Sequence, residues 1–215
     1  MLDNIKCVIF DNDGTIADTR DIILPSMRHT TKKVLGKVWP DEVYSSQVGI
    51  PLQDQVGLYT DDPNKQKEMI ISYREYNELY HDKKIKKFQG CKEALEEIKK
   101  SGLTLAVATS KLRTICERGL KILEIDNLMS EIIGAEDTEK HKPHGDPILF
   151  AAKKLGFKPR ECAYVGDAPF DIQAAKDANV TAIGVSWGFF EKDILKKEGA
   201  DYICESFSEL TNLLC

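Results

Sequence analysis

The sequence is short of the features that mark membrane, secreted and nucleic-acid-binding proteins. No apolar stretch approaches the ~18 residues that a bilayer helix needs, so neither a membrane span nor a membrane partner is expected. The N-terminal MLDNIKC runs directly into an apolar strand pattern, leaving no room for a signal peptide and predicting a cytoplasmic protein. Cysteine is thinly spread: Cys7, Cys91, Cys116, Cys162, Cys204 and Cys215 form no CxxC pair and read as free, mostly buried thiols. The four histidines, His29, His81, His141 and His144, lack metal-ligand spacing, which argues against zinc. Positive charge is also in deficit, with 30 Lys and Arg against 35 Asp and Glu for a net charge of −5. The one basic run, KKIKK at 83–87, reads as a solvated surface at a domain junction, so no nucleic-acid partner is expected. An anionic substrate would therefore need its positive charge supplied locally. Internal repeats and low-complexity tracts are missing too.

What remains is a chain of 215 residues, 42% hydrophobic and 30% charged, enough for one core domain carrying a smaller insertion. CVIF (7–10), TLAVAT (104–109), EIIG (131–134), CAYVG (162–166), VTAIGV (180–185) and DYIC (201–204) read as strands. Between them CKEALEEIKKSG, LRTICERGLKILE, DPILFAAKKLG, DIQAAKDAN and FSELTNLL carry apolar residues at helical spacing, several closed by glycine. Such alternation predicts an α/β fold, a Rossmann-like doubly wound parallel sheet covered by helices on both faces. The stretch 18–82 differs. It shows no strand pattern, and DIILPSMRHTTKKVLG and PNKQKEMIISYREYNELYHD dominate it, the second opened by an Asp62 N-cap and Pro63. The chain therefore divides into a core, 1–17 and 83–215, and an inserted all-helical cap, 18–82. The crossings near 15–19 and 82–88 are the expected hinges, and a monomer or a homodimer would each suit the composition.

In an open α/β sheet the ligand sits outside the carboxyl ends of the strands. At those ends this chain places Asp11 and Asp13, then Thr109 and Ser110, then Asp167 with Asp171 four residues on, and Lys142 in the connection after EIIG. Carboxylates resist burial, so a pair at the mouth of a core strand needs a partner. Several carboxylates, a hydroxyl and one lysine suit a hard divalent cation, Mg²⁺, beside a phosphate. Alternation along the strand turns Asp11 and Asp13 to one side, so one could attack phosphorus while the other handles the proton. Read separately, each is commonplace: a turn rich in Asp and Gly, a strand-ending Thr, a lysine before proline, and acids in a helix's first turn.

Taken in order, DNDGT, Thr109 in AVATSK, Lys142 in HKPHGDP and GDAPFD at 166–171 resemble the four motifs of the haloacid dehalogenase superfamily across essentially the whole chain. The resemblance implies that Asp11 is the nucleophile and Asp13 the general acid and base. It implies that Thr109, the Ser110 amide and Lys142 hold phosphate. It also implies a Mg²⁺ site of the Asp11 carboxylate, the Asp13 carbonyl and Asp167, supported by Asp171. Asp13 argues against dehalogenases, which lack the second aspartate, and against transport ATPases, which carry threonine there. The β-phosphoglucomutases keep it, but their characteristic cap loop is not recognisable. One departure is Asn12, where most relatives are apolar. The cap's place between the first and second motifs resembles the phosphoglycolate phosphatase subfamily, making hydrolysis of a small phosphorylated metabolite of the phosphoglycolate type the first expectation. SYREYNELYHD, ATSKLRT and GVSW resemble the inorganic pyrophosphatase branch, the second expectation. A non-catalytic binding or regulatory member would have lost Asp11 or Asp13. Within the cap, Arg74 is the expected substrate contact, while Tyr73, Tyr76 and His81 read as packing or surface residues, as does Trp187 in the core. VGIP (48–51) reads as a turn that could face the site.

Overall fold

In a computed structural model, which describes Leu2 and residues 4–215, the elements follow the strand–helix alternation closely. The chain runs through β1 (Cys7–Phe10), β2 (Ala17–Asp18), α1 (Arg20–Leu35), α2 (Asp41–Ser45), α3 (Leu52–Gly57) and α4 (Pro63–Lys84). It continues through β3 (Lys86–Lys87), α5 (Cys91–Lys100), β4 (Thr104–Ala108), α6 (Arg113–Ile122) and β5 (Glu131–Ile133). It closes with α7 (Asp146–Leu155), β6 (Cys162–Gly166), α8 (Pro169–Asp177), β7 (Thr181–Val185), α9 (Lys192–Lys197), β8 (Tyr202–Cys204) and α10 (Phe207–Leu214).

Six strands form one sheet in the order β5-β4-β1-β6-β7-β8, every pair parallel. β1 lies inside, with Cys7 opposite both Thr104 and Cys162, so its backbone is paired on both edges. Its side chains divide by parity. Val8 and Phe10 enter the core under α5, α6 and α10, while Cys7 and Ile9 enter the core under α7 and α8. Burial on both faces explains the uninterrupted apolar run, since burying each large side chain contributes roughly 1.5–3 kcal/mol. All six cysteines are free, and five are buried.

Between β2 and β3 the chain is all helical. Asp62 caps α4 as its sequence implied, accepting from the Asn64 N–H at 2.9 Å, with Pro63 in the first turn. α1 and α4 pack as a pair, and Leu24, Met27 and Tyr44 form a small core of their own.

Three features were not legible beforehand. α2 and α3, of five and six residues, are too short to display a helical period. α9 is likewise one short helix between two apolar strands. Lys86 and Lys87, read as solvated surface, are exposed but also pair antiparallel with Asp18 and Ala17. That two-residue ribbon ties together the outgoing and returning crossings, and Lys86 reaches Asp21 at 2.7 Å beside it. Among the described residues no helix is long and apolar enough to cross a membrane.

Candidate active site

The parallel register brings the ends of β1, β4 and β6 to one edge, and the residues immediately beyond them are Asp11, Thr109 and Asp167. Asp11 continues the ladder for one more bond, its N–H donating to Val165 O at 2.8 Å. The backbone then turns over Asn12, whose carbonyl accepts from the N–H groups of Thr15, Ile16 and Ala17 at 3.3, 3.1 and 2.9 Å. Asn12 is buried, and holding this turn is the work of its backbone. Gly14 follows at φ +85°, and a Cβ there would lie 2.3 Å from Asp167 Oδ2. Only glycine fits both the conformation and the space.

Asp11, Asp167 and Asp171 are all buried and offer carboxylate oxygens within 4.8 Å of one another. Lys142, 3% exposed, reaches into them from the loop before α7. Its Nζ donates to Asp11 Oδ1 at 2.8 Å and to Asp171 Oδ1 at 2.7 Å. Burial disfavours the lysine's charge, but the two carboxylates hold its pKa well above the ordinary value. Burial likewise pushes Asp11 up to about 7, against the pull of Lys142, and the neighbouring charge of Asp171 adds to the rise. Asp167 is raised well above the usual carboxylate range by burial and by the charges of Asp171 and Asp11. Three acids facing one ammonium leave excess negative charge in a dry site. The donors are all oxygen, so the group fits a hard divalent cation, which would complete the charge balance.

Asp167 is aimed by the chain around it, with Thr15 Oγ1 donating to its Oδ1 at 3.1 Å and the Phe189 N–H to its Oδ2 at 2.6 Å. Asp171 does double duty. Its Oδ2 accepts the Ala168 N–H at 2.9 Å at the start of α8, while Oδ1 faces Lys142.

Asp13 stands apart from that cluster. Its Oδ1 accepts from Lys111 Nζ at 2.6 Å. Burial would raise its pKa, but the Lys111 ammonium outweighs it and holds Asp13 below the usual carboxylate range. Both side chains line a cavity of about 210 Å³ beyond the strand ends, together with Asp11, Thr109, Ser110 and Lys142. The helical segment supplies the opposite wall. Val48, Gly49 and Ile50 face the cavity, and Ser110 Oγ donates to Gly49 O at 2.7 Å, so the VGIP loop does border the site. Arg74 and Tyr73 line it as well. Tyr76 instead stacks on His29, His81 is buried against Asp82, and Trp187 donates to Thr15 O while packing on Phe207.

Sequence reasoning missed Lys111, Asn77 and the Phe189 N–H. Lys111 stood inside the quoted AVATSK, where a lysine two positions past a strand-ending threonine was the available signal. Asn77 lines the cavity beside Tyr73 and had a helical-register signal, lying one turn beyond it. The Phe189 contact is made by a backbone group, which no residue type announces.

The sequence profile of the "Haloacid dehalogenase-like hydrolase" family matches residues 8–185. A Caldanaerobacter subterraneus protein, provisionally named pyrophosphatase PpaX, is 40% identical over 98% of this chain and 94% of its own length. "Pyrophosphatase PpaX" of Anoxybacillus flavithermus is 32% identical over 98% of this chain and 97% of its own. Among solved structures, the haloacid dehalogenase-like hydrolase SP0104 of Streptococcus pneumoniae superposes with a TM-score of 0.88 at 26% identity, covering 99% of this chain and 100% of that one.

Proposed function

The chain belongs to the haloacid dehalogenase-like hydrolases and is a phosphatase by chemistry, and from that premise we propose that it hydrolyses inorganic pyrophosphate through a phosphorylated Asp11, with Mg²⁺ as its cofactor. The observation that carries the chemistry is the buried Asp11 carboxylate, held by Lys142 beside Asp167 and Asp171 and open to a cavity. Pyrophosphate is favoured over a phosphomonoester by the names of relatives matching nearly the whole chain, and by three cations on one cavity, Lys111, Lys142 and Arg74.

In this reading Asp11 attacks phosphorus, and the bond to the bridging oxygen breaks as Asp13, ionised at rest beside Lys111, returns to the departing phosphate a proton it has taken from the incoming hydrogen pyrophosphate. Water then attacks the aspartyl phosphate, giving its proton back to Asp13 and freeing Asp11 and a second phosphate. Thr109, the Ser110 amide and Lys142 hold the transferring phosphoryl oxygens. The carboxylates of Asp11 and Asp167 and the Asp13 carbonyl would hold Mg²⁺, with Asp171 supporting. When bound, the ion lowers the repulsion between attacking carboxylate and anionic phosphate. Free thiols throughout suit a reducing, cytoplasmic setting.

A second reading, hydrolysis of a phosphoglycolate-type phosphomonoester, is favoured by the apolar part of the cavity wall, where Ile23, Val48, Ile50, Leu52 and Ile115 could hold a carbon skeleton. The deciding measurement is kcat/KM with Mg²⁺ for pyrophosphate, phosphoglycolate and an aryl phosphate. Pyrophosphate is expected to lead phosphoglycolate by at least tenfold, and the reverse order would put the monoester first. Arg74, exposed on the cavity rim and in no salt bridge among the described residues, is expected to act on the outer part of the substrate. Arg74→Ala should cost pyrophosphate about ten- to a hundred-fold in kcat/KM, the worth of one charged contact, and the aryl phosphate far less. Equal losses would make Arg74 a structural support of α4.

Gly188 tests the aim of Asp167. A Cβ there would fall 2.2 Å from Asp167 Oδ2 and 2.4 Å from the Gly14 carbonyl, so a carboxylate and a turn must both move. Gly188→Ala should lower stability by about 1–3 kcal/mol, as overpacking does. It should also weaken Mg²⁺ binding in calorimetric titration by more than tenfold, as changes in the partners that orient a ligand do. Unaltered Mg²⁺ affinity would remove Asp167 from the metal site.

A further inference from the structure

We propose that Lys111 is the specificity-determining cation for the leaving group, releasing Asp13 when substrate enters and binding the departing phosphoryl group of a diphosphate. The proposal deepens the pyrophosphate reading and rests on it.

Position is the first argument. Displacement at phosphorus is in line, so the leaving oxygen lies on the far side from Asp11, where Asp13 must reach it. Lys111 Nζ sits 2.6 Å from Asp13 Oδ1, one hydrogen bond from that oxygen's place. The lysine follows Ser110 directly, so the segment that holds the transferring phosphoryl also delivers this ammonium.

Availability is the second. Lys142 is buried beside Asp11 and Asp171, on the nucleophile's side of phosphorus, where it serves the transferring phosphoryl group and not the leaving one. Arg74 is on the rim of the cavity and exposed. Lys111 alone among the described lysines and arginines both lines the cavity and faces Asp13, and its partner has another task in the reaction. Its side chain is partly open to solvent, which leaves a flexible four-carbon stem room to swing by a hydrogen-bond length.

Chemistry supplies the third. When the bond to the bridging oxygen breaks, its electron pair leaves with the second phosphoryl group. That group already carries negative charge, so a cation at this point stabilises the departing group more than the bound substrate. A leaving group without a second anion, such as a phenol, gains little from it.

The test compares wild type with Lys111→Met, which keeps length and loses charge, and Lys111→Arg, which keeps charge. Turnover of pyrophosphate and of an aryl phosphate is measured with Mg²⁺, along with inhibition of aryl phosphate turnover by methylenediphosphonate and by orthophosphate. Lys111→Met should lose about ten- to a hundred-fold more kcat/KM on pyrophosphate than on the aryl phosphate, with Lys111→Arg between it and wild type. The inhibition constant for methylenediphosphonate should rise at least tenfold more than that for orthophosphate. Aryl phosphate turnover shows that the variant is folded. Equal losses on both substrates, or none on either, with wild type active on pyrophosphate, overturn the Lys111 assignment alone. A wild type that turns over the aryl phosphate and not pyrophosphate overturns the diphosphate reading, and this proposal with it.

Discussion

Asp11→Asn is expected to abolish turnover and leave the protein folded. The amide oxygen of asparagine can still accept from Lys142 Nζ, now 2.8 Å from Asp11 Oδ1, and Asp171 continues to balance that buried ammonium. No carboxylate remains to attack phosphorus, and loss of a covalent nucleophile costs on the order of 10⁴–10⁶-fold in kcat. Asp13→Asn should cost about 10²–10⁴-fold, the range of general acid–base catalysis. The two variants should also differ in kind. Acid-quenching the Asp13 variant during turnover of labelled substrate should trap a phosphorylated protein, whereas the Asp11 variant should trap none. Circular dichroism and the urea midpoint distinguish a dead enzyme from an unfolded one. Turnover within tenfold of wild type in Asp11→Asn would refute the covalent mechanism whatever the fold.

The contrast between those two aspartates shows how far a sequence speaks for its site. The strand ends were legible because buried parallel strands are continuous apolar runs, and whatever follows such a run must emerge at one edge of the sheet. Asp11, Thr109 and Asp167 could be brought together on that ground alone. Lys142 sits on a loop of no period, and only its place in the series of motifs distinguished it. Asp171 was legible twice, as a helix-start acid and as a motif residue; it accepts the Ala168 N–H at the start of α8, and its other oxygen accepts from Lys142. The Lys111–Asp13 pair was not legible, since it joins residues 98 apart through side-chain reach, which spacing does not encode. The same is true of the helical wall. α4 had a cap and a period, but which of Tyr73, Arg74, Tyr76 and Asn77 faces the cavity depends on how α1 and α4 lie over the sheet. Tyr73 was read as packing and does join the small apolar core, yet it also borders the cavity. A side chain can be both.

Chelation of divalent metal should reduce turnover to background, with Mg²⁺ restoring it and Ca²⁺ doing so poorly, because the larger ion tolerates looser geometry. The electrostatics of the cluster add a pH signature. Without a cation Asp11 titrates at about 7 and Asp167 also well above its ordinary range, each pushed there first by burial. A carboxyl raised in the folded state binds a proton that the unfolded chain has already released. Between its unfolded value near 4 and the raised value near 7, the folded protein therefore holds more protons, and the metal-free protein loses stability from this group as pH rises. A divalent ion displaces those protons, so its affinity should climb through the same window. The rise in Tm produced by saturating Mg²⁺ should accordingly be larger at pH 8 than at pH 5.5, and calorimetry in buffers of differing ionisation heat should register proton release at the lower pH. Taking the difference with and without Mg²⁺ removes the contributions of carboxylates remote from the ion, such as Asp21 and Asp137, whose pKa values are shifted the other way. A Tm increment independent of pH would mean that the ion does not bind at Asp11 and Asp167, and full turnover in a metal-free preparation would dismiss the ion altogether.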